Sequence, residues 1–197
     1  YNNAGPFNVG LTVTSAAGCV KDTVKSLTTV ITRALANFTV LPENCLNTVT
    51  SLSSTSVGSG NTITDWYWDF GDATTGTGAT PTHTYTATGI KTIRHWIRTN
   101  TGCYSDTIVK QVTIHPLPVA NFSNNAPYCA TRLISFTDAS VANVGSISTW
   151  AWNFNDPASG ASNTSALQNP THVFSAAGIY NVTLTVTNSK NCVSAVF

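Results

Sequence analysis

Apolar and polar residues alternate in short runs along the whole chain. The run "NVGLTVT" (8–14) sets Val9, Leu11 and Val13 on one side and Thr12 and Thr14 on the other. The run "NVTLTVT" (181–187) repeats it, with Val182, Leu184 and Val186 against Thr183, Thr185 and Thr187. A period of two belongs to a strand with one face toward a core. Gly, Pro, Asn and Ser, the turn formers, separate the runs. The stretch "VKSLTTVITRALANF" (24–38) has some 3.6-residue periodicity, but its β-branched density favours strand. Short alternating strands broken by turns predict an all-β sandwich or barrel.

The pattern is also internally repeated, which is the signature of an array of similar modules. Tyr1 matches Tyr85, Gly5 matches Gly89, Cys19 matches Cys103, Phe38 matches Phe122, Cys45 matches Cys129 and Trp66 matches Trp150. Each pair is 84 apart (103 − 19 = 84). Further on, His83 matches His172 and Gly89 matches Gly178, both 89 apart, so the later copy carries about five extra residues. The expected organisation is the tail of a preceding repeat over residues 1–33, a complete repeat over 34–117, and another over 118–197, clipped near its last strand. The chain contains no Met, so it is expected to be an excerpt of a longer tandem array. The junction "TIHPLPVANF" (113–122) has two prolines in three residues, which suits a short, stiff linker.

Two passages carry a family resemblance. "WDFGD" followed by "PTHTYTATGIKTI", and "WNFND" followed by "PTHVFSAAGIYNVTLTVTN", resemble the polycystic kidney disease (PKD) domain. The resemblance covers essentially the whole chain. It implies an immunoglobulin-like β-sandwich of roughly 80–90 residues, extracellular and often tandem. The Cys after the "TNTG" and "TNSKN" turns is similar to arrays on surface proteins of Bacteroidetes-type bacteria.

The heptads "WYWDFGD" (66–72) and "WAWNFND" (150–156) raise the question of an acidic site framed by rings. Alternation puts Trp66, Trp68 and Phe70 on one face, as it does Trp150, Trp152 and Phe154. Both copies keep that apolar face, whereas Asp69 becomes Asn153. An acid/base pair does not survive the loss of a carboxylate, and a hard-cation site loses ligand charge. The rings therefore read as core. The retained acid, Asp72 or Asp156, reads as a turn former accepting N–H groups two residues on. His83 and His172, each in a "PTH" sequence, read as side chains bonding a neighbouring backbone group. No second His or Cys stands at zinc-ligand spacing, and no G-x-S-x-G nucleophile elbow is present. Neither metal nor cofactor is expected, and no catalytic residue is assigned.

Composition narrows the partners. Charged residues are 9% and the net charge is +1, which argues against nucleic acid. No run of 18 apolar residues is present, so no membrane span is expected. One strand departs from the others. Where the flanking copies have Leu11 and Leu184, the middle copy has His95, which faces inward and needs a partner. Where they have threonines, it has Arg94, Trp96 and Arg98. Trp and Arg are enriched at interaction hot spots, so these three form the candidate binding patch. The bland alternative is Trp96 packed across the strand under arginine stems.

Five regularly placed cysteines read as disulfides formed in an oxidising compartment. Pairing within each copy joins Cys45 to Cys103 and Cys129 to Cys192. In the sandwich that the resemblance implies, however, those positions lie at opposite ends, a strand length of about 17–20 Å apart. Head-to-tail stacking instead joins Cys45 to Cys192 and leaves Cys19, Cys103 and Cys129 for partners elsewhere. Both schemes stand at this point. Thr23 and Thr107, in "DTV" and "DTI", resemble a Bacteroidetes O-glycosylation signal.

The expected function is a non-catalytic structural and adhesive segment of a large secreted or cell-surface protein, a stiff spacer or fibre building block. Its partners are neighbouring repeats, other protein subunits or surface glycans. The alternative is a carbohydrate-binding accessory module of a polysaccharide-degrading enzyme, for which Trp96, Tyr67 and Tyr104 are the candidate rings.

Overall fold

The computed structural model describes residues 6–27, 31–125 and 132–197. It is an all-β protein built of immunoglobulin-like sandwiches. The chain divides into two compact units. One takes Tyr1–Thr39, Leu52–Pro81 and Thr92–Lys110, and the other Val40–Ser51, Thr82–Lys91 and Gln111–Phe197.

The elements run as the alternation suggests. A hairpin of β1 (Phe7–Thr14) and β2 (Val20–Leu27) comes first. Then follow β3 (Phe38–Thr39), β4 (Glu43–Cys45), β5 (Val49–Ser51), β6 (Ser53–Ser54), β7 (Ile63–Asp69), β8 (Thr75–Thr77), β9 (Thr82–Thr84), β10 (Gly89–Thr99) and β11 (Ile108–His115). The last series is β12 (Phe122–Asn124), β13 (Leu133–Asp138), β14 (Ile147–Asn153), β15 (Thr164–Ser165), β16 (Thr171–Val173) and β17 (Thr183–Asn188). The added residues of the later copy form a 3-10 segment, Pro157–Asn163, between β14 and β15.

In the first unit, β1 and β2 pair antiparallel from Phe7↔Leu27 to Thr14↔Val20, with nearly every side chain exposed. β7 lies between β8 and β10. The expected alternation holds on β10, where Ile93, His95 and Ile97 are buried and Arg94 and Arg98 are exposed. Trp68 and Phe70 of the first heptad are buried with Phe38 and Leu52. The Phe38 ring meets the Trp68 ring edge-on at 5.1 Å. The Trp68 indole N–H donates to the Gly78 carbonyl at 2.9 Å, so the one polar atom of this buried ring is satisfied.

In the second unit, β4 pairs with β11 in parallel, and β5 pairs with β9 antiparallel. Two three-stranded sheets, β12-β13-β16 and β15-β14-β17, enclose a core of Ala120, Ile134, Phe136, Trp152, Phe154, Leu184 and Val186. The Trp152 indole N–H donates to the Leu167 carbonyl at 2.8 Å, as Trp68 does to Gly78. The first tryptophan of each heptad, Trp66 or Trp150, is only half-buried, because it lies nearer the strand start.

Candidate functional site

The heptad acids build backbone. Asp69 Oδ1 accepts the Gly71 N–H at 2.9 Å, and Asn153 Oδ1 accepts the Asn155 N–H at 2.8 Å. Either side chain supplies that carbonyl-type oxygen, which explains why Asp and Asn interchange. The following turn needs a left-handed residue. Gly71 has φ 80° and Asn155 φ 56°, and a Cβ on Gly71 would stand 2.5 Å from the Thr92 carbonyl oxygen. Asp72 is a turn former as expected, its Oδ1 accepting the Thr74 N–H at 3.2 Å.

Asp156 corrects the sequence reading. Its carboxylate accepts the Ser175 N–H at 2.8 Å and the Ser175 hydroxyl, and meets His172 Nε2 at 3.1 Å. Both Asp156 and His172 are buried. The His172 partner is thus a carboxylate in place of a backbone group. The ring of His172 also stacks on Phe154 at 4.3 Å and 9°. The Ser175 hydroxyl holds the Asp156 carboxyl below its ordinary range, helped by the Ser175 N–H and His172, with burial opposing. Within this cluster the Ser175 hydroxyl and His172 Nε2 both attach to the aspartate and not to each other. This is a packed structural clasp.

His95 has the partners that the sequence left unnamed. Its Nδ1–H donates to the Tyr67 carbonyl at 2.9 Å, which fixes the tautomer. Nε2 lies 3.1 Å from both the Ser54 and Ser56 hydroxyls. The ring stacks on Trp68 at 3.8 Å and 17°. Burial lowers the His95 pKa from its ordinary 6.5, while the bond to Tyr67 pulls it back up. The imidazole is a neutral, fully satisfied core group.

The outward face of β10 and β7 gathers the candidate patch. Trp96 stands opposite Tyr67 in the strand register and stacks on it at 5.5 Å and 12°. Tyr67 also meets Tyr104 at 6.2 Å, and the Arg98 guanidinium lies 5.7 Å from the Tyr104 ring centre. Arg94 pairs with Asp69 at 3.1 Å. Burial and then the nearby Asp65 raise the Tyr67 phenol pKa. Trp96 is half-buried, with its neighbours in contact across the strands, while Tyr104 remains exposed. Tyr67 and Tyr104, the other two candidate rings, thus stand on the same face as Arg94, Trp96 and Arg98.

The cysteines resolve the two schemes. Cys45 and Cys192 form a disulfide with Cα atoms 5.5 Å apart, so the pairing of Cys45 with Cys103 does not occur. Asn188 builds the turn that presents Cys192, its Oδ1 accepting the N–H of Lys190 at 3.0 Å and of Cys192 at 3.1 Å. Beside the bond, the Lys190 ammonium donates to both Glu43 oxygens at 2.9 Å. Lys190 first, with His115 adding and burial opposing, lowers the Glu43 pKa. His115 Nε2 stands 3.4 Å from Glu43, close enough to attract it but outside hydrogen-bond geometry. Cys19 and Cys103 are free thiols, and Cys129 lies outside the described residues. Thr23 and Thr107 are both exposed. Among the described residues no cluster of three metal-ligating side chains occurs, and no helix is long and apolar enough to cross a membrane.

The model of the PKD domain family matches residues 42–114 and 115–196. The chain therefore belongs to the PKD domain family. Among solved structures it is similar to the PKD1 domain of the Vibrio cholerae metalloprotease PrtV, with 27% identity over 42% of this chain and 96% of that one (TM-score 0.38). It is also similar to the PKD1 domain of Vibrio anguillarum Epp, with 22% identity over 43% and 99% (TM-score 0.38). A third likeness is to fibronectin(III)-like modules of Clostridium thermocellum CbhA, with 13% identity over 82% and 90% (TM-score 0.44).

Proposed function

We propose that this chain is a non-catalytic structural and adhesive segment of a large extracellular or cell-surface protein, in which successive sandwiches form a stiff spacer. The observation that carries this reading is the Cys45–Cys192 disulfide. Its two ends belong to the repeats that we delimit as 34–117 and 118–197, so a covalent bond ties one repeat to the next beyond their single peptide junction. Such a bond also speaks for an oxidising compartment. Residues 1–33 fit the closing hairpin of a preceding repeat, since the β1–β2 turn has the hydrogen bonds of the two later cysteine turns. Exposed Thr23 and Thr107 are available as glycan attachment points.

Small-angle X-ray scattering of the full chain tests the spacer. Cys45→Ser is expected to broaden the distribution of interatomic distances and lengthen its maximum. Identical curves for the two proteins would defeat the reading.

The outward rings favour protein contact over sugar. A polysaccharide platform needs ring faces lying open side by side, whereas Trp96 and Tyr67 cover one face of each other. The edges left over, with Arg98 and Tyr104, form an amphipathic strip suited to another protein surface. Polysaccharide pull-down abolished by Trp96→Ala would reverse this preference.

A further inference from the structure

The outer face of β7 and β10 carries a charge pattern as well as rings. On β10, Arg94, Trp96 and Arg98 alternate outward. On β7 the residues opposite them are Asp69, Tyr67 and Asp65. One strand is therefore basic on both sides of its ring, and its neighbour is acidic on both sides. The later repeat has the same six positions without charge: Thr183, Thr185 and Thr187 opposite Asn153, Ala151 and Thr149. The sandwich folds with either set, so the fold alone does not call for these charges.

The charged groups have capacity left. Arg94 meets Asp69 at 3.1 Å, yet its side chain stays half-exposed. A guanidinium has five donors, enough to hold a second carboxylate. The Arg98 guanidinium lies 5.7 Å from the exposed Tyr104 ring centre, and Asp65 accepts the Thr64 hydroxyl at 2.8 Å.

The pattern selects its partner. Two sheets pack face to face about 10 Å apart, with their strands roughly aligned. A two-fold axis running along the strands, midway between β7 and β10, lays β10 of each copy over β7 of the other. Arg94 then faces the other copy's Asp69, Arg98 faces its Asp65, and Trp96 faces its Tyr67. Each contact occurs twice, as an isologous interface requires. An axis across the strands would lay arginine over arginine, which is repulsive.

We propose that the outer face of β7 and β10 is a self-association surface, on which a second copy of this chain docks by setting arginine strand against aspartate strand. The inference rests on the reading of this strip as a protein contact, and it names the partner. A standard interface uses roughly 20–30 residues a side, so a contact centred on these six is weak and depends on concentration.

The test is sedimentation equilibrium of the full chain, its free thiols capped with iodoacetamide, from micromolar to millimolar concentration. Reversible dimers are expected, weakening as salt is raised. Arg98→Asp and Asp65→Arg each set like charges in both symmetric contacts. Each alone is expected to weaken dimerisation at least about tenfold. Mixed in equal amounts, the two variants should pair with each other at least as tightly as the wild type pairs with itself. The acid introduced at 98 then faces the base introduced at 65, and a folding defect would not be repaired by mixing. A chain that stays monomeric throughout, dimers unmoved by either variant, or a mixture no tighter than its components would overturn the inference. The spacer reading survives those outcomes, since it stands on the scattering change in Cys45→Ser. Polysaccharide capture lost in Trp96→Ala would instead remove the protein-contact reading itself, so the failures are separately visible.

Discussion

His95 and Leu184 occupy the same position in two repeats. Each stands opposite the buried tryptophan of its heptad, His95 against Trp68 and Leu184 against Trp152. Around them the frame is kept. Ser56 bonds the N–H and carbonyl of Asn37, both at 3.1 Å, and Ser140 does the same with Asn121 at 3.1 and 3.2 Å. The contents differ. Where the first repeat has Ser54 bonding His95, the second has Asp138, which accepts the Trp150 indole N–H at 2.8 Å. Hydrogen bonds from Ser140, Trp150 and Gln168 outweigh burial and hold the Asp138 pKa below its ordinary value. One sandwich scaffold thus accepts a polar or an apolar residue at its centre, with Ser56 kept as Ser140 and Ser54 replaced by Asp138.

The largest expected effect tests what the repeats share. Trp68→Ala and Trp152→Ala each remove a nearly fully buried ring and strand a loop carbonyl, Gly78 or Leu167. Each is expected to cost about 3–5 kcal/mol in its own repeat. Calorimetry of the full chain should show one transition falling per variant. A loss under about 1 kcal/mol in either, well short of such core truncations, would mean that the two tryptophans are not equivalent anchors.

The next effect tests where the repeats differ. His95→Leu copies the other repeat's residue without its surroundings. It leaves the Tyr67 carbonyl and the Ser54 and Ser56 hydroxyls short of a partner. The expected cost near neutrality is about 1–3 kcal/mol. Acidification supplies the sign of a second readout. Burial lowers the His95 pKa below 6.5, so as pH falls through 6.5 the unfolded chain takes up a proton before the folded repeat does. The wild-type repeat therefore keeps its full stability above 6.5 and loses some below it. The leucine variant has no such loss, so the gap between the two should narrow on acidification. Urea unfolding on either side of 6.5 measures it, and a gap that widens would show that His95 is charged in the fold.

These cases show what the chain's pattern could and could not disclose. Alternation marked the core faces of β10 and β17, because strand geometry forces side chains to opposite sides, but the same pattern on β1 leaves Val9, Leu11 and Val13 exposed. It also marked His95 as buried and in need of a partner. It could not name Ser54 and Ser56, which reach the ring from the end of β6 and just beyond it, some forty residues earlier. The clasp of Asp156, His172 and Ser175 had a signal in the aspartate and histidine kept by both repeats, but their meeting is spatial, since 16 residues separate Asp156 from His172 and 19 separate it from Ser175. The disulfide was one of two schemes until the turn at Asn188 and the parallel pairing of β4 were known, because connectivity is spatial. Trp96 was legible as an unusual outward residue. Its partner Tyr67 was not, since that depends on strand register.

The smallest expected effect sharpens the comparison on the outer face. The first repeat stacks Trp96 on Tyr67; the equivalent positions of the second hold Thr185 and Ala151, paired in the same register. A sandwich of this family therefore does not require rings there. Trp96→Ala should cost only about 0.5–1.5 kcal/mol, the range of an aromatic pair beyond its buried area. The arginine stems and Tyr104 remain to cover part of the strand. Chemical denaturation of the full chain reads that loss, and binding of partner protein to immobilised chain reads the other. If the stack is packing alone, stability falls by this amount and no association changes. If it serves contact, association is lost while the repeat stays folded, because a half-buried ring contributes more to an interface that covers it than to a strand that only half does.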